Sequence, residues 1–368
     1  MSSHHSPASR RVDWVDIAKG VCIVFVVMMH STLGVERVMG DEGFMGLVVA
    51  YAKPFRMPDF FLISGLFLAL TIDRPWRLYL DRKVVHFVYF YVLWLSIQFA
   101  FKAPGIALEQ GAAAAAAQYL MAFVEPFGTL WFIYILPIFF VLTRWLKTLP
   151  RIWVFAWAAW LNVLPVDTGW LLVDEFAARY VYFFAGYAAA PLVFRAADWA
   201  GRNRPAGGAV LAGWAVVNGL LVFVPVPGWL AGFGERPSEL PFVGLALGFA
   251  GALAIVFTAS LMAASRGAVT RFFRLAGENS IVVYLAFFLP MAATRTALVK
   301  VMPWLGAGTI SLIVTLVAVV SPLVMMWLIN RTGHGGFLIR RPRWAMIAPH
   351  PALPAMAPAA PAGTPPAR

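Results

Sequence analysis

The stretch Val15–Val35 has the sequence VDIAKGVCIVFVVMMHSTLGV, and this apolar run decides the class of fold. A helix of about 20 apolar residues crosses a hydrocarbon core about 30 Å thick, and this run is long enough to do so. Comparable runs recur along nearly the whole chain of 368 residues, of which 61% are hydrophobic and only 12% are charged. A soluble domain carries about 25% charged residues. The composition therefore predicts an all-α, polytopic membrane protein.

The apolar runs predict about ten transmembrane helices. They lie at approximately 15–35, 46–72, 84–102, 127–146, 151–166, 176–196, 208–226, 241–264, 279–300 and 304–329. Alternate connections carry clusters of basic residues: Arg10 and Arg11; Arg74, Arg77, Arg82 and Lys83; Arg144, Lys147 and Arg151; Arg195, Arg202 and Arg204; Arg266, Arg271 and Arg274; Arg331, Arg340, Arg341 and Arg343. The intervening connections are poor in Lys and Arg and rich in acids, including Glu36, Asp41, Glu42, Asp167, Asp174, Glu175, Glu235 and Glu239. By the positive-inside rule, both termini and the basic connections are expected to be cytoplasmic.

One segment, 105–125, does not fit this alternation. It contains the run Ala112–Ala117, which favours a helix but is barely apolar enough to insert across a membrane. Counting it as a span would invert every later connection and place the basic clusters outside. We therefore expect an interfacial or re-entrant helix on the outer side of the membrane.

Three regions are expected along the chain. Residues 1–12 form a cytoplasmic tail, 13–330 the transmembrane domain, and 331–368 a second cytoplasmic tail that is first basic and then rich in Pro and Ala. That composition predicts a disordered end with no catalytic part. The histidines in tails and loops are expected to be solvated: His4, His5, His334 and His350.

Several classes of function are disfavoured. The net charge of +12 does not indicate a nucleic-acid partner, because the basic residues stand in short clusters between apolar runs. No group of His, Cys or carboxylate residues has metal-ligand spacing, so no metal site is predicted. The sequence has no GxGxxG motif and no phosphate-binding loop, which argues against nucleotide hydrolysis.

Polar residues within the first span are candidate site residues, because an ionisable group in the bilayer costs about 3 kcal/mol or more. This span contains Asp16, Lys19 and His30. At 100° per residue the three lie within about 60° of one another and share one face of the helix. His30 also lies about 16 Å further toward the outer side than Lys19. A structural interpretation is the alternative for each residue. In that interpretation Asp16 and Lys19 only mark the membrane boundary, and His30 is a histidine packed near the outer interface.

The second span is predicted to break. Pro54 and Pro58 remove backbone donors and bend or interrupt a helix. A broken helix at membrane depth is tolerated where it lines a polar cavity. Arg56 and Asp59, three residues apart, could pair across the break, either as a structural ion pair or as site groups that face the same cavity as His30.

Five motifs stand out in order along residues 13–330. They are Asp16-Ile-Ala-Lys19-Gly20 with an apolar run ending at His30; Pro54-Phe55-Arg56-Met57-Pro58-Asp59-Phe60-Phe61 followed by Ser64-Gly65; Leu130-Trp131-Phe132-Ile133-Tyr134; Phe183-Phe184-Ala185-Gly186-Tyr187; and Gly277-Glu278-Asn279-Ser280 with Tyr284-Leu285. Together they resemble the acyltransferase-3 family of membrane proteins, and most closely its fucose 4-O-acetylase-like branch. Two positions depart from the family pattern: several relatives have arginine in place of Lys19, and many have histidine in place of Phe287.

The resemblance implies an O-acyltransferase of the plasma or bacterial inner membrane. Such enzymes move an acyl group, usually acetyl from cytoplasmic acetyl-CoA, to a hydroxyl of a cell-surface or lipid-linked saccharide, and no permanently bound cofactor is implied. His30 is then the candidate general base, because imidazole accepts a proton near neutral pH, or a transient carrier of the acyl group. Asp16, Lys19 and Arg56 would orient groups, bind the donor or stabilise the oxyanion. The donor would reach His30 through a polar channel beside Lys19.

Further residues are weaker candidates for substrate binding. They are Asp59, Trp131, Tyr134, Arg179, Glu278, Asn279 and Ser280. Arg179 follows Glu175 by one helical turn and either lines the acceptor side or forms an interfacial pair. The two aromatic residues stack on a sugar ring or belong to the aromatic belt of the membrane. The last three residues bind substrate or cap the ninth span.

Two alternatives remain open at this point. Succinyl or another acyl group fits the helix pattern as well as acetyl does. A transporter or exporter, whose intramembrane charges bind a substrate without any chemistry, would also have broken helices and cavity charges.

Overall fold

The computed structural model describes residues 12–126 and 128–348. In this part of the chain the secondary structure is helical and no strand forms, which confirms the all-α prediction. The α-helices are, in chain order, α1 (Asp13–Met39), α2 (Phe44–Ala52), α3 (Pro58–Leu66), α4 (Trp76–Leu80), α5 (His86–Gln110), α6 (Ala112–Met121), α7 (Trp131–Leu146), α8 (Arg151–Val163), α9 (Leu171–Ala188), α10 (Ala190–Arg202), α11 (Arg204–Phe223), α12 (Pro241–Ala263), α13 (Ala268–Glu278), α14 (Ser280–Ala286), α15 (Phe288–Val301) and α16 (Gly306–Thr332). A π-helical turn, Asp81–Val85, joins α4 directly to α5.

Six helical segments of the described chain are long and apolar enough to cross a membrane. They are Asp13–Met39, Trp76–Gln110, Gly128–Leu146, Arg204–Phe223, Pro241–Ala263 and Pro303–Thr332. The pair α14 and α15, bent by 50°, makes a seventh if it counts as one span. Each of the ten predicted spans also overlaps at least one helix, although α8 has only 13 residues. The membrane-spanning fold is thus confirmed, whereas the number of about ten spans and the cytoplasmic termini remain predictions.

The second predicted span is broken, as its prolines require. α2 ends at Ala52 and α3 begins at Pro58, with the turn 53–57 between them. Proline suits the first turn of a helix because its missing N–H has no partner to lose there. The break leaves Arg56 in the turn, and it carries Asp59 into the first turn of α3.

Glycines allow α1 and α13 to pack in backbone contact. A Cβ atom on Gly20 would overlap the carbonyl oxygen of Phe273, and a Cβ on Gly277 would overlap the carbonyl oxygen of Asp16. Small residues are what permit so close an approach between helices in a membrane. This contact holds the 277–280 motif against the first turns of α1.

The same arrangement joins α3 to α9. A Cβ on Gly65 would overlap the carbonyl oxygen of Phe183, and a Cβ on Gly186 would overlap that of Leu62. The Ser64-Gly65 motif and the 183–187 motif, which lie far apart in the chain, are therefore in direct contact. Their glycines are explained by this helix crossing.

The segment 105–125 does not form a span. α5 continues to Gln110, and α6, which has 10 residues, returns alongside it. The hydroxyl oxygens of Ser96 and Tyr119 are 2.8 Å apart across this contact. At 1.5 Å per residue α6 is about 15 Å long, roughly half the thickness of a hydrocarbon core. This length agrees with the expected interfacial or re-entrant helix.

The predicted second tail begins with a packed segment. α16 continues through Thr332, and residues 333–348, which we call the C-terminal strap, then lie against α4, the π-helical turn and α5. The Arg341 Nη2 atom is 2.5 Å from Asp81 Oδ2, and both side chains are buried, with 6% and 4% of their surfaces exposed. The Ile347 N–H donates to the other carboxylate oxygen of Asp81 at 2.7 Å.

Two hydrogen bonds from α5 side chains to the strap backbone extend this attachment. The Tyr89 hydroxyl donates to the carbonyl of Phe337 at 3.0 Å, and the Trp94 indole N–H donates to the carbonyl of Leu338 at 3.2 Å. These bonds and the buried ion pair offset the conformational entropy that is lost when the strap is ordered. The composition of the strap does not indicate such contacts. The predicted second tail, 331–368, is therefore packed against the bundle as far as residue 348, and His334 within it is exposed. The remaining predicted tails, 1–11 and 349–368 with His4, His5 and His350, lie outside the described residues.

Candidate active site

The larger of two neighbouring cavities, which we call the Lys19 chamber, lies at the end of the bundle where α1 begins. It has a volume of about 470 Å³. Its polar lining residues are Lys19, Ser64, Lys83, His86, Glu278, Asn279 and Ser280. Ile339 of the C-terminal strap forms part of its wall. The chamber thus combines residues of helices from the beginning, middle and end of the chain.

Lys19 stands at the chamber side of α1. Its ammonium group is 3.3 Å from Asp16 Oδ1, one turn earlier on the same helix. Asp16 itself is buried and does not line the cavity. The close contact of α1 with α13 brings Glu278 and Asn279 to the same cavity, and the Asn279 amide donates back to the Leu275 carbonyl at 2.8 Å. That bond shows that the Asn279 side chain does not cap α14.

Lys83 and His86 are chamber residues that sequence reasoning missed. Lys83 lies in the π-helical turn, with its ammonium 4.3 Å from the centre of the Phe140 ring, and His86 begins α5 with its ring 5.0 Å from Phe90. Within the described chain neither side chain has a hydrogen bond or an ion pair. Lys83 was part of a basic cluster that the positive-inside rule explains, so only the fold identifies it as a site residue. Single π-helical turns of this kind are frequent at functional sites.

The second cavity, which we call the His30 chamber, is smaller, with a volume of about 140 Å³. Its lining residues are Val26, Met29, His30, Arg56, Met57, Phe60, Trp131, Phe132, Glu175, Arg179 and Tyr284. The His30 ring lies 5.6 Å from the ring of Phe287. Its imidazole nitrogens have no hydrogen bond to any part of the chain that the structure describes. They are therefore available to a bound substrate.

Positive charge predominates in the His30 chamber. Arg179 pairs with Glu175 at 2.9 Å, one turn apart on α9. Arg56 donates to the carbonyl of Val49 at 3.2 Å, and the described residues offer its guanidinium no ion pair within 4.0 Å. Two guanidinium groups and one carboxylate leave the chamber with a surplus of one positive charge. Such a surplus suits a group that develops negative charge during a reaction.

Three aromatic residues separate the two chambers. Phe60, Phe132 and Tyr284 line both cavities, and we call them the aromatic wall. The ring centres are 4.5 Å apart for Phe60 and Phe132 and 5.6 Å apart for Phe132 and Tyr284. The Tyr284 hydroxyl accepts the Phe132 backbone N–H at 3.2 Å and donates to the Thr129 carbonyl. The third and fifth sequence motifs therefore meet in this wall.

The structure brings together four of the predicted site residues in the His30 chamber: His30, Arg56, Trp131 and Arg179. Lys19 shares the face of α1 with His30, as predicted, but it lines the other chamber. The eleven residues between them correspond to about 16 Å along the helix. Lys19 and Asp16 therefore cannot contact the same reacting atom as His30.

Besides Asp16, two predicted site residues line neither chamber. The ion pair expected between Arg56 and Asp59 does not form, because Asp59 turns into the closed core of the bundle beside Cys22 and is 0% exposed. Tyr134 donates its hydroxyl to the Phe123 carbonyl at 2.9 Å and packs on Tyr91. Its role in this fold is to hold the segment after α6.

Glu175 and the residues of the aromatic wall were not predicted as site residues. The four-residue spacing indicated Glu175 as the partner of Arg179. The five sequence motifs include Phe60, Phe132 and Tyr284. Their spacing alone does not indicate that they converge. Among the described residues there is no group of three or more His, Cys, Asp or Glu side chains that could hold a metal ion.

Comparison with known proteins supports one family. A family model described as an acyltransferase domain matches residues 12–331. The chain is 27% identical to the inner membrane protein YcfT of Escherichia coli (strain K12) over an alignment of 198 positions, which covers 47% of this chain and 55% of that protein. The alignment thus spans about half the length of the curated relative. No solved structure matches the chain.

Proposed function

Because the chain belongs to the acyltransferase-3 family, we propose that it is an O-acyltransferase that moves an acetyl group from acetyl-CoA to a hydroxyl of a cell-surface or lipid-linked saccharide. The family match covers residues 12–331, and the fold is that of an integral membrane protein. One observation carries the proposal: a basic chamber and a histidine chamber lie at different depths along α1 and share a thin aromatic wall. We further assign the protein to the plasma (bacterial inner) membrane and to the fucose 4-O-acetylase-like branch.

The Lys19 chamber is the donor side in this proposal. The distribution of Lys and Arg along the sequence orients this end toward the cytoplasm, where acyl-CoA is found. Lys83 and Lys19 supply positive charge for the phosphates of the donor, since ammonium groups bind phosphate as point charges. Asn279 and Ser280 offer polar atoms for the amide groups of the pantetheine arm.

The His30 chamber is the acceptor side. A sugar hydroxyl is a poor nucleophile, so a base must take its proton as its oxygen attacks the thioester carbonyl carbon. His30 accepts that proton, the carbon–sulfur bond breaks, and the proton passes to the departing CoA sulfur. The Arg56 guanidinium stabilises the negative charge that forms on the carbonyl oxygen. If His30 instead carries the acyl group, the same bonds break in two successive steps.

The aromatic wall determines how donor and acceptor meet. The side chains of Phe60, Phe132 and Tyr284 line both chambers and so lie between donor and acceptor. Rotation of one ring opens a path for the extended pantetheine arm, which then presents the thioester to His30.

Label transfer from acetyl-CoA tests the proposal. Protein in proteoliposomes receives acetyl-CoA labelled in the acetyl group together with a saccharide acceptor fraction, and acceptor-bound label is counted. We expect His30→Ala to lower transfer by about 100-fold or more, the contribution of a general base. His334→Ala is the matched control, because this exposed histidine bonds only to Thr332.

Two outcomes would contradict the proposal. Equal transfer by the wild type and His30→Ala would remove His30 from the chemistry, and transport of a saccharide without label transfer by the wild type would replace the enzyme with a transporter. Label that stays on the protein after denaturation, and is absent from His30→Ala, would identify His30 as the acyl carrier. Glycan NMR of cells lacking the protein would then name the acceptor through the missing O-acetyl signal.

A further inference from the structure

A third cavity opens at the other end of the bundle, between the end of α5 and α15. This groove has a volume of about 870 Å³. Its walls are largely apolar, and they include Phe101, Phe288, Leu289 and Val301. Three basic residues, Lys102, Arg295 and Lys300, also line it. We call it the α5–α15 groove.

The basic residues of this groove lie at the end of the bundle where the alternation of basic and acidic connections predicts few Lys and Arg residues. The connections at this end are otherwise poor in Lys and Arg and rich in acids. Lys102 lies 4.8 Å from the centre of the Phe288 ring and is near enough to Arg295 for their positive charges to repel each other. No acidic residue lines the groove. An anion bound between these side chains would relieve that repulsion.

Arg295 is the residue that most requires a ligand. It is partly buried, and no hydrogen bond or ion pair joins it to the residues that the structure describes. A guanidinium group beside apolar surface is costly unless an anion accepts its hydrogen bonds. Its planar arrangement of donors matches the oxygens of a phosphate group.

Arg295 also connects the groove to the histidine chamber. A Cβ atom built on Gly34 of α1 would lie 2.5 Å from Arg295 Nη1, so the guanidinium packs directly on that glycine. Gly34 follows His30 by one helical turn, about 6 Å along the axis and about 40° around it. A phosphate held by Arg295 would therefore lie one turn of α1 beyond His30, on nearly the same face.

We propose that the α5–α15 groove binds the phosphate and the adjoining hydrocarbon of a lipid-linked saccharide, whose sugar then extends toward His30. The apolar walls suit the lipid chain, and the basic residues suit its phosphate, as in other basic pockets between membrane helices that bind lipid head groups. This inference rests on the proposed function, since it names the class of acceptor. It predicts that the acceptor enters from the bilayer rather than from water.

Lipid binding to the full-length protein in neutral detergent tests this site by native mass spectrometry. The probes are a polyprenyl phosphate, the neutral polyprenol of equal length, phosphatidylglycerol and inorganic phosphate. We expect the polyprenyl phosphate to bind at least about 10-fold more tightly than each other probe, the effect of a charge-assisted hydrogen bond to phosphate. Arg295→Gln should remove most of this preference, and Gly34→Ala should reduce it by displacing the guanidinium.

Lys53→Gln is the matched control, because Lys53 is an exposed lysine at the same end that pairs with Glu239 at 2.9 Å. If Arg295→Gln does not purify as a folded protein, the exposed Lys300→Gln carries the same expectation. Equal binding of polyprenol and polyprenyl phosphate, or of phosphatidylglycerol and polyprenyl phosphate, would overturn the proposal. The proposal would also be overturned if Arg295→Gln and Lys300→Gln bound the lipid as the wild type does, or if inorganic phosphate bound as tightly as polyprenyl phosphate.

This readout is independent of catalysis. His30→Ala should bind the polyprenyl phosphate as the wild type does. Lipid binding without any acetyl transfer would support the groove assignment and refute the acyltransferase proposal. Acetyl transfer without lipid binding would support the acyltransferase proposal and refute the groove assignment.

Discussion

At the residue scale, the surroundings of His30 are unusual for a polar side chain in a membrane. The imidazole lies 5.6 Å from the ring of Phe287, which is fully buried, and it lines a chamber with two arginines. Phe287 cannot move a proton, so any second-histidine role found among relatives is absent at this position. His30 is thus the imidazole that this chamber offers within the described chain.

The aromatic wall makes a prediction at the same scale. Phe60→Ala removes a ring that separates the chambers, so water and the thioester should meet more often. We expect acetyl-CoA hydrolysis in the absence of any acceptor to rise several-fold, as measured by release of free thiol. Phe90→Ala is the control, because Phe90 lines the Lys19 chamber but not the wall. A rise of equal size in both variants, or in neither, would show that the wall is no barrier.

At the element scale, glycines determine which helices can meet. The contacts of α1 with α13 and of α3 with α9 both depend on positions at which a Cβ would overlap a carbonyl oxygen. These crossings hold the Lys19 chamber together from residues that are distant in the chain. The glycines of the sequence motifs therefore have a packing role, whereas the neighbouring polar residues line the chambers.

Gly65→Ala tests this role. The added methyl group must displace the backbone of α9 at Phe183, and overpacking of this kind costs about 1–3 kcal/mol. We expect a clear fall in the midpoint temperature of thermal unfolding of the detergent-purified protein. Fluorescence-detected size exclusion after heating measures this midpoint. Gly208→Ala on α11 is the matched control, since its Cβ would have no neighbour within 4 Å. That variant should be neutral or slightly more stable, because alanine favours a helix over glycine by about 0.5–1 kcal/mol. Equal midpoints for the two variants would contradict the packing role.

At the scale of the whole molecule, the two ends of the bundle have different compositions and different cavities. The end where α1 begins has the Lys19 chamber, the basic clusters and the C-terminal strap. The other end has the His30 chamber near it and the α5–α15 groove. This polarity suits a reaction whose donor and acceptor enter at different ends of the bundle.

The C-terminal strap makes a prediction at this scale, because it joins the last helix to the beginning of α5. Arg341→Ala leaves the Asp81 carboxylate buried without its ion pair, and loss of one member of such a pair costs about 3–5 kcal/mol. We expect the strap to detach, which limited proteolysis would detect within 333–348, and the KM for acetyl-CoA to rise because Ile339 no longer closes the Lys19 chamber.

Arg340→Ala controls for loss of a neighbouring positive charge. Arg340 is exposed and bonds to Asn330 Oδ1 at 2.8 Å on the surface. Its substitution should change neither proteolysis nor KM. An intact strap in Arg341→Ala would refute the anchoring role of the ion pair.

Much of this architecture follows from local patterns in the chain. Apolar runs predicted the membrane helices, Pro54 and Pro58 predicted the break between α2 and α3, and helical spacing predicted that Lys19 and His30 share a face. The motifs also led to the family. Each of these features depends on interactions within one or two turns of a helix, or on the transfer of a side chain into lipid, so composition and spacing are sufficient to reveal them.

Other features were decided by tertiary structure alone. Lys83 and His86 line a chamber, Asp59 turns into the core away from Arg56, and Tyr284 bonds to the backbone beside Phe132 because particular helix faces meet. Arg341 reaches Asp81 from the far end of the chain in the same way. Periodicity defines the face of a helix but not the neighbour that the face will contact. That choice depends on how closely two backbones can approach, and so on the combined shape of the side chains at every crossing.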